Sequence, residues 1–117
     1  MIVDDEQDVI DLIRFCLRMY DYNVCTFTNP SIALEHFKSN PKNHHMVIYD
    51  ISMLSMNGYE FVKQVKSMNP KVKVVLMTSF EMLDNEFSNI LPDVTMDAFI
   101  TKPFTPNLLR NIIVSAK

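Results

Sequence analysis

Glycine is almost absent: Gly58 is the only one in 117 residues. In a chain this poor in glycine, the one present marks a backbone need, either φ > 0 or a close approach in the loop after Asp50, with a plain helix start as the simpler alternative. Cysteine is scarce too. Cys16 and Cys25 have no C-x-x-C spacing and sit in apolar-patterned segments, which predicts two buried thiols in a reducing compartment. The 11 Lys and Arg residues are spread thinly in a chain of net charge −3, with no basic run or stripe, which argues against nucleic acid as a direct partner. Long apolar runs are missing. Stretches such as Val74 to Met77 are far too short to span a bilayer, and the start turns acidic after three residues, unlike a signal or transit peptide. These absences predict a cytoplasmic domain with no membrane partner.

What is present is ordinary globular composition, 48% hydrophobic and 21% charged. The length is that of one domain, 1–117, and area scaling lets about two-thirds of the extended-chain surface be buried.

Short apolar runs alternate with stretches of helical period. Ile2-Val3 reads as a clipped strand ending in Asp4-Asp5, and Val9, Leu12, Ile13, Cys16 and Leu17 recur on one helical face. Asn23 to Phe27 reads as a second strand. Asn29-Pro30 is a cap followed by a first-turn proline, opening a helix with Ala33, Leu34 and Phe37 inward that stops at Asn40-Pro41. Met46 to Tyr49 is a continuous apolar strand running into Asp50. Gly58 precedes a helix with Tyr59, Phe61, Val62 and Val65, closed by Asn69-Pro70. Val72 to Met77 is another strand, followed by a helix around Leu83 to Leu91, a strand from Ala98 to Thr101, and a last helix after Pro106 with Leu108, Leu109, Ile112 and Ile113. Strands with little alternation are buried on both faces, so the βαβαβαβαβα order predicts an α/β fold, a doubly wound parallel sheet with helices on each side.

Ligands of open parallel sheets bind beyond the carboxyl ends of the strands. The residues there are Asp4 and Asp5, Asp50, Thr78 and Lys102. Asp4 or Asp5 alone would be explained as a helix cap. Capping does not explain Asp50 and Lys102. Three carboxylates held together need positive charge among them, and Lys102 with a hard divalent cation such as Mg²⁺ supplies it.

With Val3-Asp4-Asp5-Glu6, Asp50 to Gly58, Met77-Thr78-Ser79 and Thr101-Lys102-Pro103-Phe104 in this order at strand ends, the chain resembles a response-regulator receiver domain of two-component signalling, of the chemotaxis-regulator kind, over essentially its whole length. The resemblance implies a flavodoxin-like, five-stranded sheet of order 2-1-3-4-5. It implies Asp50 as phosphoacceptor from a histidine kinase or phosphotransfer protein. Asp5 would bind Mg²⁺ (or Mn²⁺) directly, Asp4 through a metal-bound water, and the Ser52 backbone carbonyl would complete the protein's share alongside Asp50. Lys102 would pair with the phosphate, Thr78 would be the switch hydroxyl and Phe99 the aromatic that follows it. The Lys102–Pro103 bond is expected to be cis. The readout would be a protein-interaction face of the fourth helix, fifth strand and fifth helix, also a possible homodimer face.

Leu54 stands where the family usually has proline. Phe80, beside the phosphoryl position, would screen attacking water. Met53 and Met56 fall in the loop after Asp50. His44 and His45 follow Pro41 in a polar run and read as solvated loop residues. Only fifteen residues follow Lys102, so no output domain is expected in the chain. A dehalogenase-type hydrolase needs a second aspartate where Ser52 stands, and a flavin phosphate would be repelled by Asp4-Asp5-Glu6. The remaining alternative is a receiver-like interaction module that works without phosphorylation. The protein is expected to be a signalling switch, an enzyme only toward its own phosphorylation and dephosphorylation.

Overall fold

A computed structural model describes residues 1–52, 58–79 and 97–116, with Tyr59, Ser79, Phe99 and Ala116 described by backbone alone. The expected helix at Leu83 to Leu91, and the positions Met53, Leu54, Met56 and Phe80, lie outside the described residues.

The elements run β1 (Ile2–Val3), α1 (Gln7–Arg18), β2 (Thr26–Phe27), α2 (Pro30–Ser39), a 3₁₀ turn (Pro41–Asn43), β3 (Met46–Asp50), α3 (Gly58–Met68), β4 (Lys73–Ser79), β5 (Ala98–Lys102) and a last described helix, here α4 (Pro106–Ala116). The strands form one sheet in the order β2-β1-β3-β4-β5, every pairing parallel. β3, which ends in Asp50, therefore lies in the middle.

Successive strand residues point to opposite faces, and two cores result. Val3, Val47, Tyr49, Val74 and Leu76 pack with α2 and α3 residues including Phe37, Phe61 and Val65. Ile2, Ile48, Val75, Met77 and Ile100 pack with Ile10, Ile13 and Leu17 of α1 and Leu109 and Ile113 of α4. Helices thus cover both faces.

Local chemistry sets the element ends. Asn29 caps α2 by accepting from Ser31 N at 2.8 Å and Ile32 N at 3.3 Å, with Pro30 in the first turn. Thr105 Oγ1 accepts from Leu108 N at 3.2 Å to start α4. Asp21 takes φ 62° just beyond α1, where glycine is the usual residue.

Several expectations are corrected. β2 is two residues long because β1 offers only Ile2 and Val3 as partners, although Ile2 N still donates to Cys25 O at 2.8 Å. Cys25 is exposed; only Cys16 is buried. Leu12 and Leu108 face outward, and Ile10 takes the core position that helical spacing gave to Leu12. His44 is not a solvated loop residue but 8% exposed, stacked on Phe37 at 5.4 Å and edge-on to His36 at 5.3 Å. Burial, with the nearby chain amino group and the other histidines, pushes it down to about 4. Gly58 has no positive φ; of the two backbone needs, the close approach is the one found. A Cβ there would lie 2.9 Å from Ile51 Cγ2.

Candidate phosphoacceptor site

Three strand ends bring the charged residues together. Asp4 follows β1, Asp50 closes β3 and Lys102 closes β5. Asp4, Asp50 and Thr78 are fully buried, and 13% of the Lys102 side chain is exposed. Lys102 Nζ lies 2.8 Å from Asp4 Oδ2, 2.8 Å from Asp50 Oδ2 and 3.4 Å from Glu6 Oε1. One ammonium is shared by three carboxylates.

The aspartates are also tied to backbone. Asp4 Oδ1 accepts from Glu6 N at 2.9 Å, shaping the turn into α1. Asp50 Oδ1 accepts from Ser52 N at 2.9 Å and from the Ser52 hydroxyl. Ile51 N donates to Met77 O at 2.9 Å, so β3–β4 pairing continues one residue past Asp50 and fixes the departing chain. The Lys102–Pro103 bond is cis.

Burial, the largest influence, pushes the Asp4 carboxyl up to about 6; Lys102 and the Glu6 N–H pull it down, and Asp50 pushes it further up. For Lys102, burial acts to lower the pKa, but contacts with Asp4 and Asp50 outweigh it and hold the ammonium well above its ordinary value. Beneath the site, burial and then the Asp50 charge keep the Tyr49 phenol neutral.

Asp4, Asp5, Glu6 and Asp50 each offer an oxygen within 4.8 Å of the others. Four carboxylates face one ammonium. Asp4 Oδ2 is buried, and its partner is the Lys102 ammonium at 2.8 Å. An oxygen-only donor set of four carboxylates fits a hard divalent cation.

Among the residues singled out from the sequence, Asp4, Asp5, Asp50, Ser52 and Lys102 come together. Thr78 is buried on the neighbouring strand, one residue beyond the Asp50↔Met77 pair. Phe99 lies in β5 opposite Leu76, its side chain outside the description. Glu6 was quoted only as part of a motif, yet it reaches Lys102; its signal was a third acid in sequence beside two strand-end aspartates.

A family model for the response regulator receiver domain matches residues 1–114. The chain belongs to that family.

Other proteins share its sequence at a distance. The chain is 26% identical over 107 residues to the alkaline phosphatase synthesis transcriptional regulatory protein PhoP of Bacillus subtilis, covering 91% of this chain and 42% of that one. It is 28% identical over 111 residues to the response regulator SaeR of Staphylococcus epidermidis, covering 93% and 45%. The chain thus spans less than half the length of these curated relatives. A response regulator receiver domain protein from Clostridium thermocellum superposes with a TM-score of 0.81 at 24% identity over 98% of this chain and 90% of that one. At this identity the last match speaks for the fold, the five-stranded 2-1-3-4-5 receiver sheet.

Proposed function

We propose that Asp50 is the phosphoacceptor of this two-component receiver domain, taking a phosphoryl group from a histidine kinase or phosphotransfer protein with Mg²⁺ (or Mn²⁺) bound beside it. The observation that carries the reading is the Asp50 carboxylate itself. It is fully buried, with one oxygen held by Ser52 and the other by Lys102, among three further acids.

Phosphoryl transfer asks mainly for positioning and charge neutralisation. An Asp50 oxygen attacks phosphorus, an O–P bond forms, and the N–P bond of the phosphohistidine breaks. Its electron pair returns to the imidazole nitrogen, which then takes up a proton. The product is an acyl phosphate. Asp50 needs no activation by a base, since an ionised carboxylate is already the nucleophile.

Lys102 moves from the carboxylates to the phosphoryl oxygens, a step short enough to need only rotation of its flexible stem. Asp5, Asp4, Asp50 and the Ser52 carbonyl would hold the cation, which when bound neutralises the gathered carboxylates and the phosphoryl charge. The Thr78 hydroxyl would donate to a phosphate oxygen, and Phe99, three residues before Lys102 on β5, would follow it. The result is a shift in population between two surfaces of one fold. The protein would act in the cytoplasm on a downstream target or a further domain; among the described residues no helix is long and apolar enough to cross a membrane.

The test is intact mass after incubation with acetyl phosphate, with and without Mg²⁺, for the wild type and Asp50→Asn. One added phosphoryl group requiring both the metal and Asp50 is expected. No addition to a folded, Mg²⁺-binding protein would overturn the reading and leave a phosphorylation-independent module.

A further inference from the structure

α1 opens without a side-chain cap. Its N-cap residue is Glu6, which makes no side-chain bond to the first turn, whereas Ser, Thr, Asp and Asn are the residues that cap. The backbone of Glu6 is nevertheless held on both sides. Its N–H donates to Asp4 Oδ1 at 2.9 Å, and its carbonyl accepts from Ile10 N at 3.2 Å. The root of the side chain is therefore fixed. From there the side chain, 62% exposed, turns away from the helix it opens, and its carboxylate accepts from Lys102 Nζ at 3.4 Å, 96 residues further along the chain.

We propose that Glu6 is a positioning residue for Lys102, the fixed point from which the ammonium passes from the aspartates to the phosphoryl group; this rests on the reading of Asp50 as phosphoacceptor. The ammonium carries three N–H donors on a flexible four-carbon stem. Its two short contacts, each 2.8 Å, go to Asp4 Oδ2 and Asp50 Oδ2. Both of those carboxylates change partners in the reaction, Asp4 toward the cation and Asp50 by bonding phosphorus. Glu6 keeps its place. Among the described residues it is the one acid paired with Lys102 that the transfer leaves unaltered.

Reach, and not charge alone, is what this position requires. An aspartate there would keep the charge and cap α1 better, but its side chain is one bond, about 1.5 Å, shorter. A contact already at 3.4 Å would be lost. Lys102 would then have no anchor when the aspartates let go, and its stem would regain rotamer freedom that the transfer must remove again. An exposed ion pair adds little to stability, so the cost falls on the rate and not on the fold. Glu6 also belongs to the cluster of four acids that could hold the cation, so holding the lysine and holding the metal must be told apart.

The test is the phosphorylation rate with acetyl phosphate, read by intact mass at saturating donor and Mg²⁺. An Asp50 oxygen bonds phosphorus, the bond from phosphorus to the acetate oxygen breaks, and acetate leaves with the electron pair. Glu6→Asp should slow that rate about fivefold, with the half-saturating donor concentration within about twofold of wild type. Calorimetric titration without donor should place its Mg²⁺ affinity within about twofold of wild type as well, and its metal-free melting temperature should be no lower. In a Lys102→Ala background, checked for folding by circular dichroism in saturating Mg²⁺, the same exchange should change the slower labelling by less than about twofold. A Glu6→Asp protein that keeps pace with wild type overturns the proposal. So does one slowed through weaker Mg²⁺ binding, which would make Glu6 a metal ligand, or one slowed equally when Lys102 is gone. Wild type that takes up no phosphoryl group overturns the reading of Asp50 and this proposal with it, whereas labelled wild type beside an unslowed variant overturns this proposal alone.

Discussion

Lys102 balances two buried aspartates and the Glu6 carboxylate at once, and its loss would leave the aspartates facing each other without compensation. Breaking a buried ion pair from one side costs about 3–5 kcal/mol. Lys102→Met is therefore expected to lower the urea midpoint sharply at pH 7 without added metal, and to recover part of the loss as pH falls, with Asp4 taking up its proton at a higher pH than the about 6 it has beside the ammonium. Asp4 and His44 tilt the pH dependence in opposite directions. With its folded pKa raised to about 6, Asp4 stabilises the fold at low pH, and that contribution is lost as pH rises through 6. His44, lowered to about 4 from an ordinary 6.5, behaves in reverse: its contribution is complete above about 6.5 and disappears as pH falls toward 4. His44→Phe is expected to reduce the difference in unfolding free energy between pH 7 and pH 4 by about 2–3 kcal/mol, measured by urea titration at each pH. At this scale the sequence was uneven. Asp50 and Lys102 stood out because each ends an apolar run. The burial of His44 did not, because the rings of His36 and Phe37 that cover it come from a different element.

Elements were legible where a cap or a period marked them. Asn29-Pro30 and Pro106 opened helices as expected, and the apolar run before Asp50 became the central strand. The outward turn of Leu12 and the inward one of Ile10 were not legible, since hydrophobicity alone does not say where on α1 the sheet makes contact. The 2.9 Å approach at Gly58 gives a test at this scale. An added methyl meets Ile51, whose N–H is already tied to Met77 O. Overpacking costs about 1–3 kcal/mol and the gain in helix propensity returns at most about 1. Gly58→Ala should lose about 1 kcal/mol in a thermal melt and shift the Ser52 amide resonance, because Ile51 is the residue between Asp50 and Ser52.

The whole molecule divides its core across the sheet, and the site lies at the end of the central strand, one of three that feed both cores. The βαβ order made this architecture readable from the chain, whereas the sharing of Lys102 among carboxylates from two distant sequence segments needed the folded sheet. A ligand that binds only the folded state stabilises it by about 2.7 kcal/mol at a hundredfold excess over Kd. Mg²⁺ should therefore raise the melting temperature beyond Na⁺ at matched ionic strength, and Asp5→Asn should abolish most of the difference. Asp5 is exposed, so its replacement leaves the metal-free melt nearly unchanged.

The shared ammonium also constrains the order in which such a site can be assembled by mutation. A variant carrying these acids with no cation among them would be destabilised by their mutual repulsion, whereas a lysine at the end of the last strand, or a bound ion, lets each acid be introduced singly.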